Sequence, residues 1–458
     1  MDKKGTQPTV INVNGDYTAQ AAWETKSPLA RNYGDKFLMF DHGKGVWLWD
    51  SAGNKYLDFG SGIAVNSFGH GRADFAKIVS DQMRKVVHVS NLYTTPETMD
   101  LARRLVASSP RAVDQPYKTI SLEEWREGAT GPYFKAVHLG NSGTEANEAA
   151  LKYARIYQKR KLENGKAANG TRFLAFENAF HGRTMGALSV TYSKIYREIN
   201  EPLVPGVEFL PFNDPVSLRK TLSKDFAAVI VEPIQGEGGL TPMTPEFAAE
   251  LNRLCRELDV ILIADEIQSG TGRTGVIFYS QTCGLEPDII TMAKPLAGGL
   301  PLSATLLVPK IADIIKPGDH GTTFGGNPVA CALASHVWSQ VTTLEFLIKV
   351  AERGSWLEKG LKRMRRRHKW LGQLKGAGML RGIEVNLPPA LAGGKPQPAH
   401  PAFMVRLIEA CRLQGLIVLR SGKNVLRIAP PLIISKTEMN RGFVLLDQAL
   451  TSLEGPLE

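Results

Sequence analysis

The chain has 458 residues, of which 43% are hydrophobic and 22% charged, and it carries a formal net charge of +10. That length predicts a multidomain protein with a large core, and 44 Gly and 27 Pro spread along it exclude fibrous and disordered classes. No apolar run reaches the roughly 18 residues of a membrane span. Cys255, Cys283, Cys331 and Cys411 lack the paired spacing of a zinc site or redox dithiol. The opening "MDKKGTQPTVINVNGDYTAQ" shows neither a signal-peptide core nor an Arg-rich transit segment, so the expectation is a cytoplasmic protein with reduced cysteines. Neither a metal nor a membrane partner is expected.

In chain order, residues 36–60 read as strand, turn and strand, with "SAGNK" as the turn. The polar stretch 108–132 reads as a surface insertion. "AVHL" at 136–139 is a strand, followed by a helix from about Thr144, and 159–170 reads as a second polar insertion. Short apolar runs at 172–176, 227–232, 260–265 and 288–294 do not alternate, and amphipathic stretches separate them. That is the pattern of a mostly parallel sheet buried on both faces. The chain is therefore expected to be α/β, with a large doubly wound domain over 73–335. Residues 1–72 and 336–458 are expected to form a smaller α+β domain together. The basic run "KGLKRMRRRHKW" at 359–370 lacks any accompanying nucleic-acid motif and reads as a solvated helix face, so no nucleic-acid partner is expected.

Three polar positions follow strand ends, where open α/β sheets bind ligands. After "AVHL" comes "GNSGTEANEAA", which reads either as a tight strand–helix joint or as an anion site at a helix N-terminus. Asp265 follows "VILIA"; it is either paired with a buried arginine or holds a protonated ring nitrogen. Lys294 follows "DIITMA", and its apolar neighbours favour the neutral amine that attacks a carbonyl. A phosphate site, an aspartate and a reactive lysine together fit pyridoxal 5'-phosphate.

The segments "NSGTEANEAALKYAR", "FHGRTMGALSVT", "VEPIQGEGG", "IADEIQSGTGRTG", "TMAKPLAGGLP", "HGTTFGGNP" and "LRIAPPL" resemble the class III, pyridoxal-phosphate-dependent aminotransferases over about residues 36–450. Within that family they look most like the acetylornithine branch. The resemblance implies a type I fold and a homodimer. It implies that Gly143 and Thr144 cradle the cofactor phosphate and that Phe180 stacks on the ring. Asp265 would hold the ring nitrogen, Gln268 the phenolic oxygen, and Lys294 the aldehyde, with Lys294 then moving the proton. Thr323 would reach the phosphate from the partner subunit, and Thr322 would touch substrate. Arg183 and Arg427 would bind substrate carboxylates, with Glu237 masking Arg427 while the ω-amino donor is present. Ile63 stands where ornithine-specific relatives carry a tyrosine, which argues against free ornithine. The resemblance thus implies transfer of the terminal amine of N-acetylornithine to 2-oxoglutarate, a step in arginine biosynthesis. The alternative is 4-aminobutyrate or another ω-amino acid as donor. The paired carboxylate provision of Arg183, Arg427 and Glu237 argues against a mutase or racemase.

Overall fold

The computed structural model describes Ala30, Asn32 and residues 38–109, 133–389, 391–392 and 397–454. Apart from Ser108 and Ser109, the insertion expected at 108–132 lies outside the described residues. Strands β1 (Phe40–Lys44), β2 (Trp47–Asp50) and β3 (Lys55–Asp58) form an antiparallel meander. "SAGNK" turns because Asp50 accepts from the backbone N–H groups of Ala52 and Asn54, at 3.0 and 2.8 Å, the local bonding that makes aspartate a turn residue.

The large sheet has seven strands. In chain order they are β4 (Ala136–Gly140), β5 (Arg172–Phe176), β6 (Val207–Leu210) and β7 (Phe226–Val231), then, after the small hairpin β8 (Ile234–Gln235) and β9 (Thr241–Pro242), β10 (Ile261–Asp265), β11 (Ile289–Met292) and β12 (Ser303–Leu307). Their spatial order is β4-β12-β11-β10-β7-β5-β6. All neighbours are parallel except that β12 runs antiparallel to both β11 and β4. Every residue of β7, β10, β11 and β12 is buried, which is why these runs show no polar alternation. The helix Gly143–Glu163 crosses this sheet. Its last turn occupies part of the stretch expected as a surface insertion at 159–170. Residues 159–163 stay helical because Arg160 pairs with Glu163 and with Asp319, tying the turn to a distant loop.

A second core joins the two ends of the chain. Val46, Leu57 and Phe59 pack with Val350, Leu361, Phe403, Leu426 and Leu446. There β13 (Leu371–Ala377), β14 (Leu380–Val385), β16 (Leu419–Ser421) and β17 (Val425–Ile428) form an antiparallel sheet, while β15 (Leu416–Ile417) pairs in parallel with β3. The basic run lies on the helix Leu344–Arg367. Leu361 and Met364 are buried, Lys362 pairs with Glu358, and Arg367 pairs with Asp447 at 2.9 Å. Arg365, Arg366 and Arg367 lie in the helix's last turn, where they complement its dipole.

One connection is strained. After β3 the residues Ser61, Gly62, Ile63 and Ala64 all take left-handed φ values, +48°, +59°, +63° and +63°. Left-handed backbone costs a non-glycine residue roughly 1–2 kcal/mol, so three such residues within four positions need external support. At the turn's start, Asp58 accepts from the N–H groups of Gly60 at 2.9 Å and Ser61 at 2.7 Å, and it meets His70 Nε2 at 2.9 Å.

Close helix packing in the second core rests on Gly360, where a Cβ would lie 1.9 Å from Phe443 Cε2. Gly360→Ala is expected to lower unfolding stability by about 1–3 kcal/mol through overpacking, read as a fall in the urea midpoint.

Candidate active site

Strands β4, β10 and β11 point the same way, so their carboxyl ends share one edge of the sheet. Asp265 ends β10 in register with Thr291 of β11. Lys294 lies just past β11, half-buried behind the buried Ala293. Burial pushes its ammonium below the usual lysine range, and the nearby Arg427 acts in the same direction. Glu237, Asp265 and Glu232 oppose the shift. The edge therefore makes this amine easier to deprotonate than an exposed lysine, despite the carboxylates around it.

Asp265 is 4% exposed, and among the described residues no arginine pairs with it. Its charge is met by three donors. Asn147 Nδ2 and His181 Nδ1 both reach Oδ2 at 2.8 Å, and the backbone N–H of Ile267 reaches Oδ1 at 3.1 Å. Thr291 donates its hydroxyl to Asn147 Oδ1 at 2.8 Å, which fixes the orientation of that amide. A carboxylate accepts only, so His181 donates through Nδ1. Its buried Nε2 has no partner among the described residues. Sequence reading missed Asn147 and His181, although both lie in its recognised segments.

The helix Gly143–Glu163 starts beyond β4, with Ser142 as N-cap accepting from Glu145 N–H. The first-turn N–H groups of Gly143 and Thr144 have no intrahelical acceptor, which makes an anion cradle. Gly143 is required by its neighbour: a Cβ there would lie 2.8 Å from Ile267 Cδ1. Thr144 Oγ1 accepts from the N–H groups of Arg183 and Thr184, both at 3.3 Å. Thr322 Oγ1 lies 3.3 Å from Asn141 Nδ2, so the 322 loop docks on the same cradle.

The side expected to bind carboxylates centres on Arg427 of β17, which is 3% exposed. Its guanidinium is ion-paired with Glu237 and donates to Gln268 Oε1 at 3.1 Å and to the Gly236 carbonyl at 3.2 Å. Its buried Nε has no partner among the described residues. Glu232 was also missed by sequence reading. It accepts from the N–H groups of Phe180 and Gly236, each at 2.9 Å, joining the two loops. Burial foremost, and then the charge of Asp265, push its carboxyl well above the usual range.

Lys294, Asp265, Gly143, Thr144, Gln268, Glu237 and Arg427 thus belong to one connected region. Arg183 and Thr323 are exposed and lie outside the buried cluster, with the Arg183 guanidinium 3.5 Å above the Tyr196 ring. Ile63 is 43% exposed on the left-handed turn. The donor set fits pyridoxal phosphate at each of its three groups: a helix N-terminus for the phosphate, a buried carboxylate for the ring nitrogen, and an amine of depressed basicity for the aldehyde.

The profile of the family described as "Aminotransferase class-III" matches residues 29–450. A probable mitochondrial acetylornithine aminotransferase of Dictyostelium discoideum is 40% identical, covering 90% of this chain and 83% of that protein. The acetylornithine aminotransferase of Aquifex aeolicus is 38% identical, covering 92% and 99%. Among solved structures, the N-acetylornithine aminotransferase of Stenotrophomonas maltophilia superposes with a TM-score of 0.72 at 29% identity, covering 92% and 98%. The ornithine aminotransferase of Toxoplasma gondii gives 0.81 at 26%, covering 95% of each chain.

Glu232→Gln keeps the side chain's shape but turns an amide NH2 toward a backbone N–H, leaving a buried donor unmatched. It is expected to cost about 1–3 kcal/mol of stability, read by urea titration.

Proposed function

This chain belongs to the class-III aminotransferases, and on that premise we propose that it transfers the terminal amine of N-acetylornithine to 2-oxoglutarate. The products are N-acetylglutamate 5-semialdehyde and glutamate, a step in arginine biosynthesis. The observation that carries the reading is the Arg427–Glu237 ion pair in the same charged network as Lys294. A masked arginine leaves room for a donor whose reacting end has no carboxylate. Released, the same arginine binds the α-carboxylate of glutamate through the planar fork suited to it. The asymmetry of exposure supports this division: the Glu237 side chain is 33% exposed and that of Arg427 3%, so the glutamate is the partner free to swing.

Bound pyridoxal phosphate supplies an aldehyde that captures the amine and a protonated ring that draws electrons from the carbon beside it. Asp265 holds the proton at the ring nitrogen, and its own charge is secured by Asn147, His181 and Ile267. Lys294, its basicity lowered by burial, would carry the proton between the two carbons that flank the transferred nitrogen. Gly143 and Thr144 anchor the phosphate end, Phe180 covers the ring, and Gln268 takes the phenolic oxygen. Arg183 would receive the far carboxylate of the donor after leaving the Tyr196 ring. Thr322 would contact substrate, and Ile63, apolar, disfavours the charged head of free ornithine.

The site reads as shared in a homodimer, with Thr323 serving the partner's phosphate. Supporting this, Leu92, Tyr93 and Phe324 are 87%, 75% and 61% exposed around a cleft that Thr323 helps to line, an apolar surface of the kind a second copy covers. 4-Aminobutyrate remains the alternative donor, because Ile63 tells equally against ornithine in both cases.

Steady-state kcat/KM across N-acetylornithine, ornithine and 4-aminobutyrate tests the donor. Preference for N-acetylornithine is expected, and preference for 4-aminobutyrate overturns the assignment. Lys294→Ala should lower turnover at least ~10³-fold, the scale of a lost proton-transfer group, and abolish the borohydride-fixed cofactor adduct. Arg427→Ala should reduce the glutamate half-reaction roughly 10–100-fold, as expected for lost charged hydrogen bonds, and spare the donor half-reaction by comparison. Equal damage to both refutes the masking role of Glu237.

A further inference from the structure

We propose that Arg273 is a positioning residue for the donor side of the site, bracing the left-handed turn at Ser61–Ala64 and so fixing the place of Ile63. The proposal rests on the reading of Ile63 as a donor-side residue.

Arg273 is fully buried, yet among the described residues it forms no ion pair. Its guanidinium donates to the Pro430 carbonyl at 2.5 Å and to Ser67 Oγ at 3.0 Å, with a longer contact to the Ala64 carbonyl at 3.5 Å. Nε has no partner. A buried cation hydrogen-bonded only to neutral oxygens, with the Asp58 carboxylate close enough to act on its charge, is still an expensive way to fill space. An apolar side chain would fill the same volume at less cost, so the cation's value lies in which groups it joins.

Those groups belong to two segments. Ala64 and Ser67 end the strained turn, and Pro430 follows the strand of Arg427. The segments also meet through the backbone: Ala429 N–H donates to the Phe59 carbonyl and Leu432 N–H to the Ser67 carbonyl, both at 2.7 Å. On the other side, Asn66 Oδ1 stands 3.1 Å from the position a Cβ on Gly299 would take, in the loop that follows Lys294. The turn therefore sits between the lysine loop and the arginine strand. Asp58 holds its start through Gly60 and Ser61, and Arg273 holds its end.

The two braced segments would not relax equally. β17 is paired on both sides, by β14 and β16, whereas the turn has no sheet partner. Arg427 donates to Glu237, Gln268 and Gly236, and none of these is among the hydrogen-bond partners of the Arg273 guanidinium. Weakening Arg273 should thus release the turn and leave the carboxylate site in place.

Arg273→Lys keeps the charge and most of the bulk, but its three donors radiate from one atom, whereas the fork serves the two segments through separate nitrogens, Nη1 and Nη2. In ping-pong kinetics, kcat/KM for each substrate reports its own half-reaction. For the donor it should fall roughly tenfold, while for 2-oxoglutarate it should stay within about twofold, because only a charged hydrogen bond to the turn is lost. Amide hydrogen exchange of the holoenzyme should quicken in the 60–67 segment and not elsewhere. Ser67→Ala removes one acceptor and should shift both readouts in the same direction by less; it decides the matter should Arg273→Lys not fold. The donor used is whichever ω-amino compound the wild type prefers, so an error in the substrate assignment appears in the donor panel and leaves this test standing. Equal loss in both half-reactions, exchange quickened throughout the chain, or no change in either readout overturns the proposal.

Discussion

A buried carboxylate that no arginine or lysine among the described residues pairs with organises the site. Asp265 keeps its place at the tip of β10 because Asn147, His181 and the Ile267 N–H converge on its two oxygens. Each donor comes from a different piece of the fold: a helix interior, a loop beyond β5, and the segment after β10 itself. Burying a charge without such donors costs several kcal/mol, so the helix, the loop and the strand must all dock correctly for the protein to be stable. The demand that stabilises the fold is the same one that aims the carboxylate.

The other buried charges divide into those that are fixed and those that can exchange partners. Arg273 is enclosed by backbone and hydroxyl oxygens and has no freedom to leave them. Arg427 is equally enclosed, but its acidic partner Glu237 reaches solvent. A glutamate that can be rehydrated gives up its arginine at modest cost, which a buried one could not do. In the proposed function, that contrast of a fixed cation and a movable anion is what would let one pocket take two unlike substrates by turn.

The strand runs at 172–176, 227–232, 260–265 and 288–294 were legible because a strand buried on both faces is apolar throughout and its end shows where polarity returns. The antiparallel strand β12 was not read as a strand, since its sequence "SATLL" carries no mark of direction. The stretch at 159–163 looked like a loop because its residues are charged, whereas Arg160 finds acids on two elements and the helix continues.

What the amino-acid sequence determined by itself is where each chemical group emerges: Gly143 at a helix start, Asp265 and Lys294 at the ends of apolar runs. Local periodicity encodes burial, and burial locates the first polar residue after a strand. Only the tertiary structure decided that Asn147 and His181 meet Asp265, that Glu232 joins the Phe180 and Gly236 loops, and that Arg273 reaches both Ser67 and Pro430. Those partners are brought together by crossovers and by the packing of the two ends of the chain. A pattern of period two or 3.6 says which face of an element is buried, and nothing in it says which other face it will be buried against.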